Sequence, residues 1–245
     1  MRANLFTPAI LLILLLVVST APEAESATVS GRMLMKNGIP LAGGIAVAFD
    51  LQSEVPPAPE RYFRPPDYGA EIKNDGSFQL LLPPGEYAIG AVKRKEGKTG
   101  PPREGDVYFM IKDEDHNLKR IAVPANGDVA LGNLAQGEIF KPVMDPTPPV
   151  TSVIGRVTDT QGNPVPGIVV AAVLSKQGME NILFYAQDTD SNGTYKLHLP
   201  FGGTYNLGIW GESSPGDAAK DFTRSLRIDT GDTLPGFDLQ LPRMK

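Results

Sequence analysis

Ala186-Gln-Asp-Thr-Asp-Ser-Asn-Gly-Thr-Tyr-Lys-Leu-His-Leu-Pro-Phe-Gly-Gly-Thr-Tyr-Asn-Leu-Gly-Ile209 is the stretch on which the fold turns. It reads as a turn, a strand, a second turn and a second strand. Asp190, Ser191 and Asn192 carry side chains that bond their own backbone, and Gly193 accepts a positive φ. Tyr195, Leu197 and Leu199 alternate with Thr194, Lys196 and His198, the period of two of a half-buried strand. Pro200 and Gly202 interrupt the alternation, and Tyr205, Leu207 and Ile209 resume it.

The same hairpin occurs once before. In Asp75-Gly-Ser-Phe-Gln-Leu-Leu-Leu-Pro-Pro-Gly-Glu-Tyr-Ala-Ile89, Phe78, Leu80 and Leu82 match Tyr195, Leu197 and Leu199. Gly76 matches Gly193, Pro83 matches Pro200, and Tyr87 matches Tyr205 after one inserted residue. Upstream, Gly31-Arg32 stands 124 positions before Gly155-Arg156, and Gly43 is as far from Gly167. Solenoid repeats run to about 20–50 residues, so this period marks a duplicated domain.

The chain has 245 residues, room for about two domains of ordinary size. Its 23 Pro and 26 Gly fall at strand ends, which suits many short strands. Residues 1–26 read as a secretory signal: Arg2 is the n-region charge, Ala9 to Val18 the apolar core, and Ala24-Glu25-Ser26 the cleavage region, with cleavage near Ser26/Ala27. An apolar run this short falls below the roughly 20 residues that cross a bilayer, and no other segment is apolar enough, so the mature chain is expected to have no transmembrane segment and to be secreted or periplasmic. There is no Cys, so no disulfide forms; an exported chain held by its core alone fits a bacterial source. Without Arg2, Glu23 and Glu25 the 23 basic and 28 acidic residues become 22 and 26, a balance that gives no reason to bind nucleic acid.

The boundaries expected are 28–143 for the first unit with its loop insertions, 144–151 for a Pro-rich linker, and 152–245 for the second. In the first unit, Leu51 to Ala70 is a Pro-rich excursion carrying Arg61, Tyr62, Phe63, Arg64 and Tyr68. It reads either as a recognition loop, Arg and Tyr being enriched at binding hot spots, or as a loop folded over the sandwich edge with Tyr62 or Phe63 beneath it. Val107–Ile111 and Ile121–Val123 read as strands, and Leu131–Ile139 as the closing strand. In the second unit, Ile168–Leu174 is an unbroken apolar run suited to a central strand, Ile182–Ala186 the next, and Ser213–Ala219 a loop.

Gly155-Arg-Val-Thr-Asp-Thr-Gln-Gly-Asn-Pro-Val-Pro-Gly167, then Thr189-Asp-Ser-Asn-Gly-Thr-Tyr-Lys-Leu197, then Leu199-Pro-Phe-Gly leading to Tyr205, resembles the carboxypeptidase regulatory-like domain family. The first unit resembles it with departures: Met33 and Met35 stand for the usual Val and Asp, and Ala42 for the second Pro. The resemblance implies an all-β chain of two tandem Greek-key, transthyretin-like (prealbumin-like) β-sandwich domains of about seven strands each, after the signal peptide. It also implies a non-catalytic accessory module of exported bacterial proteins, here expected to mediate protein interaction or give structural support at the envelope, with an envelope or secreted protein as partner.

Candidate chemistry is sparse. Only His116 and His198 exist, one per unit, and no His-Glu-x-x-His pair is present, so a Ser–His or zinc mechanism is not expected. His198 is expected to face solvent, opposite Leu197 and Leu199. Carboxylate-only catalysis leaves an enzyme of unknown class as a further alternative. Asp188-x-Asp190-x-Asn192-Gly193 matches the first half of a calcium loop, but its twelfth position is Leu199 instead of Glu, so an Asx-type turn is the preferred reading and calcium the alternative; no other cofactor is expected. Trp210 with Tyr185 and Tyr205 is the candidate for stacking a sugar ring, the carbohydrate-binding alternative.

Overall fold

The computed structural model describes residues 26–53, 55–97, 100–142, 149–176, 182–210, 222 and 224–241. Residues 1–25 of the expected signal, 143–148 of the Pro-rich stretch and the 213–219 loop lie outside them.

Ala27–Met35 (β1), Ile45–Asp50 (β2), Tyr68–Glu71 (β3), Ser77–Leu82 (β4), Gly85–Lys93 (β5), Val107–Met110 (β6), Arg120–Val123 (β7) and Val129–Gly137 (β8) form the first sandwich. One layer has the order β4-β1-β8; the other has β3-β2-β5-β6, with β7 also paired to β5. Thr151–Thr158 (β9), Val169–Leu174 (β10), Leu183–Tyr185 (β11), Thr194–Leu199 (β12), Gly203–Trp210 (β13), Arg224–Ile228 (β14), Thr233–Leu234 (β15) and Leu239–Gln240 (β16) form the second. Its layers are β12-β9-β15, with β16 also on β9, and β11-β10-β13-β14. Eight strands per sandwich are described where about seven were expected, and β8 runs Val129–Gly137 where Leu131–Ile139 was expected.

The duplication survives at the level of register. Gly31 pairs with Phe78 and Gly155 with Tyr195, so corresponding glycines lie opposite corresponding rings. Gly155 is needed for close approach: a Cβ there would collide with the Phe237 carbonyl oxygen, to which the Tyr195 hydroxyl donates at 2.6 Å. Gly193 sits at φ 70, and a Cβ on it would lie 2.5 Å from the Val157 carbonyl oxygen. Asp190 Oδ1 closes the same turn by accepting the amides of Asn192 and Thr194, each at 2.8 Å. Tyr87 and Tyr205 are both buried and anchored alike, the hydroxyls donating to the carbonyls of Pro83 (3.0 Å) and Phe201 (2.9 Å) four residues back.

The alternation read from sequence holds in β4 and β12. Phe78, Leu80, Leu82, Tyr195, Leu197 and Leu199 all point into a core. Each such burial stabilises by about 1.5–3 kcal/mol relative to exposure. β10 is central in its layer, as its apolar run requires.

Two features break the symmetry. Within the layer β3-β2-β5-β6, strands β2, β5 and β6 are covered on both faces, because Val47, Phe49, Ala88, Tyr108, Met110 and Phe140 form a second apolar cluster on the outer side. This explains why all four residues of β6 are buried. The other feature lies between the sandwiches: Val55 and Tyr62, from the first unit's excursion, belong to the core of the second.

Candidate functional site

The excursion is not an exposed loop. Tyr62 and Phe63 lie in the seam between the two sandwiches, while Arg64 and Tyr68 pack on the first. Asp67 holds the excursion's end: its amide donates to the Ala48 carbonyl (3.0 Å), and its carboxylate accepts the Asp50 amide (2.7 Å). Arg64, only 3% exposed, places Nη2 on the Asp67 carboxylate at 2.6 and 2.8 Å and its guanidinium 5.4 Å over the Phe49 ring. Its Nη1 has no hydrogen-bond partner among the described residues. Arg64 thus pins the excursion to the outer face of the first sandwich.

Beyond Arg64 the chain reaches the second sandwich. The Phe63 carbonyl accepts the Tyr185 amide at 3.0 Å, which extends the β11 edge by one strand-like contact. Tyr62, 7% exposed, meets Phe184 edge-on at 5.9 Å and 78°, and its hydroxyl donates to the Pro56 carbonyl at 2.5 Å. Burial pushes the Tyr62 phenol up to about 12, against the opposing pull of the Arg64 and Arg61 charges. The Phe63 ring lies 6.2 Å from Tyr185, with the Arg94 guanidinium 5.8 Å above it.

A second strap comes from the loop after β5. Arg103 forms an ion pair with Asp188 of the second sandwich. The loop is held in place by Asp106. Burial works against the charge on Asp106, but the Lys95 and Arg103 amides and the Arg94 guanidinium outweigh it and hold the carboxyl below its ordinary range. A cavity of about 290 Å³ remains in the seam, lined among others by Arg61, Tyr62, Tyr185, Lys196 and His198.

The other candidate residues fall in four places. Trp210 and Tyr185 lie half-buried on the outer face of the second sandwich, ring centres 5.0 Å apart and planes at 49°. Tyr205 is wholly buried, so the stacking role expected of it is not open to it. Tyr68 packs edge-on against Tyr87 at 5.8 Å. Asp190 is engaged by two backbone amides, Asp188 faces Arg103, and Asn192 lies exposed in the turn. No cluster of three or more His, Asp or Glu with metal-site geometry occurs among the described residues.

His198 differs from expectation. It is half-buried, its Nδ1 is 3.0 Å from the Ser152 hydroxyl directly across the strand pair, and it borders the seam cavity. Burial, with help from the Lys196 charge, lowers its pKa to about 4, so the ring is neutral at neutral pH. Ser152 is buried, which gives the pair a structural part in the strand pairing. His116 lies exposed in the turn after β6, in the left-handed region at φ 65. Among the described residues no helix is long and apolar enough to cross a membrane.

No family model matches the chain, and a comparison with curated proteins found no match. Among solved structures it is similar to the Bacillus anthracis TIE protein, at 14% identity over 88% of this chain and 34% of that one, with a TM-score of 0.27. It is similar to a streptococcal ancillary pilin at 12% identity, over 91% of this chain and 64% of that one, TM-score 0.28. A putative cell adhesion protein from Bacteroides ovatus ATCC 8483 aligns at 13% identity over 89% and 92% of the two chains, TM-score 0.24. The chain thus spans about a third of the first of these and less than two thirds of the second. Likeness at this level says nothing about what the chain binds.

Proposed function

We propose that the chain is an exported, non-catalytic accessory module of the carboxypeptidase regulatory-like type, acting through a protein partner at a bacterial envelope. The observation that carries this reading is the seam. Tyr62 of one sandwich is built into the core of the other, so the two copies make a single stiff support. Two of the residues singled out in the sequence serve that support with partners the fold supplies: Arg64 with Asp67 holds the excursion, and Asp188 with Arg103 ties the loops. The test is photo-crosslinking in cells from probes placed on exposed strand positions, followed by recovery from the envelope fraction. One discrete heteromeric product is expected, and its absence from every probe position overturns the reading.

A carbohydrate ligand is the second reading, favoured by the half-buried Tyr185–Trp210 pair on the outer face. A glycan array decides it, since binding that survives Trp210→Ala removes the site. Neither reading calls on calcium: Asp190 Oδ1 accepts two backbone amides and the Asp188 carboxylate faces Arg103, which supports the Asx-type turn. A calcium titration is expected to leave the melting temperature unchanged; a rise saturating with calcium would contradict this.

A further inference from the structure

The chain holds three Asn-Gly pairs: Asn37-Gly38, Asn126-Gly127 and Asn192-Gly193. An asparagine before glycine is prone to cyclise, because the glycine backbone nitrogen can attack the side-chain amide carbon. Glycine favours this reaction, since no Cβ shields its nitrogen and its backbone turns freely. The nitrogen must also be released from hydrogen bonding, and the chain must have room to bend. The fold distributes these conditions unequally.

Two of the pairs are closed. The Gly38 amide donates to the Met35 carbonyl at 2.8 Å, and the Asn37 side-chain oxygen accepts the Ile39 amide at 3.2 Å. The Gly193 amide donates to the Asp190 carbonyl at 2.9 Å, in a turn that Asp190 Oδ1 holds further through the amides of Asn192 and Thr194. Gly193 is also buried. Either pair has to break its turn before it reacts.

Asn126-Gly127, in the loop between β7 and β8, is open. Both residues are exposed, Gly127 stands at φ 95, and a Cβ placed on it would meet nothing within 4 Å. Its amide donates to no group among the described residues. The turn between β14 and β15, in the second sandwich, has the same left-handed glycine, Gly231 at φ 86, but Thr230 stands before it. There the Thr230 hydroxyl accepts the Gly202 amide at 2.7 Å, and the Gly231 amide donates to the Thr151 hydroxyl at 2.9 Å. One copy has closed this turn; the other leaves it open and gives it a reactive amide.

We infer that Asn126 is a site of spontaneous deamidation. The Gly127 nitrogen bonds to Asn126 Cγ, the Cγ–Nδ2 bond breaks, and the Gly127 amide proton leaves with Nδ2 as ammonia. Water then opens either carbonyl of the resulting succinimide, which yields aspartate or isoaspartate without any oxidant or enzyme. Both products add a negative charge close to Asp128, whose carboxylate accepts the Thr28 amide at 3.2 Å. Isoaspartate also lengthens the main chain by one carbon just before Asp128. The modification therefore loosens the start of β1, where Val29 pairs with Val129.

The test incubates the full chain in mildly alkaline buffer and follows the three Asn-Gly peptides by mass spectrometry, with the aspartate and isoaspartate forms separated. In the folded chain Asn126 is expected to react about tenfold faster than Asn37 and Asn192, a factor set by one net hydrogen bond. In denaturing urea all three are expected to react alike. Asn126→Gln is expected to remove the fast reaction and leave the melting temperature unchanged. After ageing, faster exchange of the Thr28 amide is expected in wild type and not in Asn126→Gln. Asn126 reacting no faster than the other two in the folded chain would overturn the inference. An advantage that persists in urea would overturn the part given to the fold, and a Thr28 amide that ageing leaves unchanged would overturn the effect on β1.

Discussion

The two sandwiches share register, turn chemistry and tyrosine anchors, yet they differ in how each is closed. The first closes its core with its own strands and buries a second apolar cluster outside it. The second takes Val55 and Tyr62 from the first to complete its core, and its β11 edge is met by Phe63. The two scaffolds are alike; the insertions in the first give it a neighbour to cover. The second copy is therefore the more dependent one.

The sharpest way to break the equivalence is at the paired glycines. Gly155→Ala forces a Cβ against the Phe237 carbonyl, whereas Gly31→Ala meets the Gly132 carbonyl oxygen at 2.9 Å and the Phe78 ring at 3.1 Å. Overpacking of this kind costs about 1–3 kcal/mol, with Gly155 at or above the top of that range and Gly31 near the bottom. Urea melts of the two variants check this, and equal costs would contradict the register argument.

Comparable to Gly155→Ala and larger than Gly31→Ala, Tyr62→Ala removes a ring from a core to which its own sandwich does not belong. Truncating a buried aromatic costs about 3–5 kcal/mol, and the low end is expected here because the hydroxyl reaches only a local carbonyl. Smaller is the strap. A double-mutant cycle of Arg103→Ala and Asp188→Asn is expected to give a coupling of about 0.5–1 kcal/mol, as for a partly exposed ion pair.

Acid sharpens the same contrast. His198 is held neutral in the folded chain, so its contribution is complete above its unfolded value near 6.5 and is lost as pH falls from there toward about 4. Asp106, whose carboxyl is held below its ordinary range, contributes above the unfolded value of 3.8 and loses that contribution only below it. The second sandwich is therefore expected to weaken first on acidification. His198→Gln should flatten stability between pH 6.5 and 4, as followed by the melting temperature, and an unchanged slope would contradict the assignment.

Most of the fold was legible because period-two alternation and turn chemistry act locally. Phe78-x-Leu80-x-Leu82 and Asn192-Gly193 each specify their own geometry without reference to distant residues. The destination of the excursion was not legible. Arg61, Tyr62, Phe63 and Arg64 announce an aromatic and basic cluster, but nothing in their order says which sandwich receives it, since docking depends on surfaces remote in sequence. His198 misled for a related reason: alternation assigns its face correctly but cannot show that the first sandwich's loops approach that side. The outer cluster around Tyr108 escaped notice because β6 reads as an ordinary apolar strand, and only its doubly buried setting marks it out.

The most direct test of the dependence of one sandwich on the other is amide hydrogen exchange on the full chain, comparing wild type with Tyr62→Ala. Faster exchange in β10, β11 and β13, including the Tyr185 amide, is expected, with protection in β1, β2 and β4 unchanged. Equal protection of the second sandwich in both proteins would show that it closes without its neighbour, and would contradict that dependence.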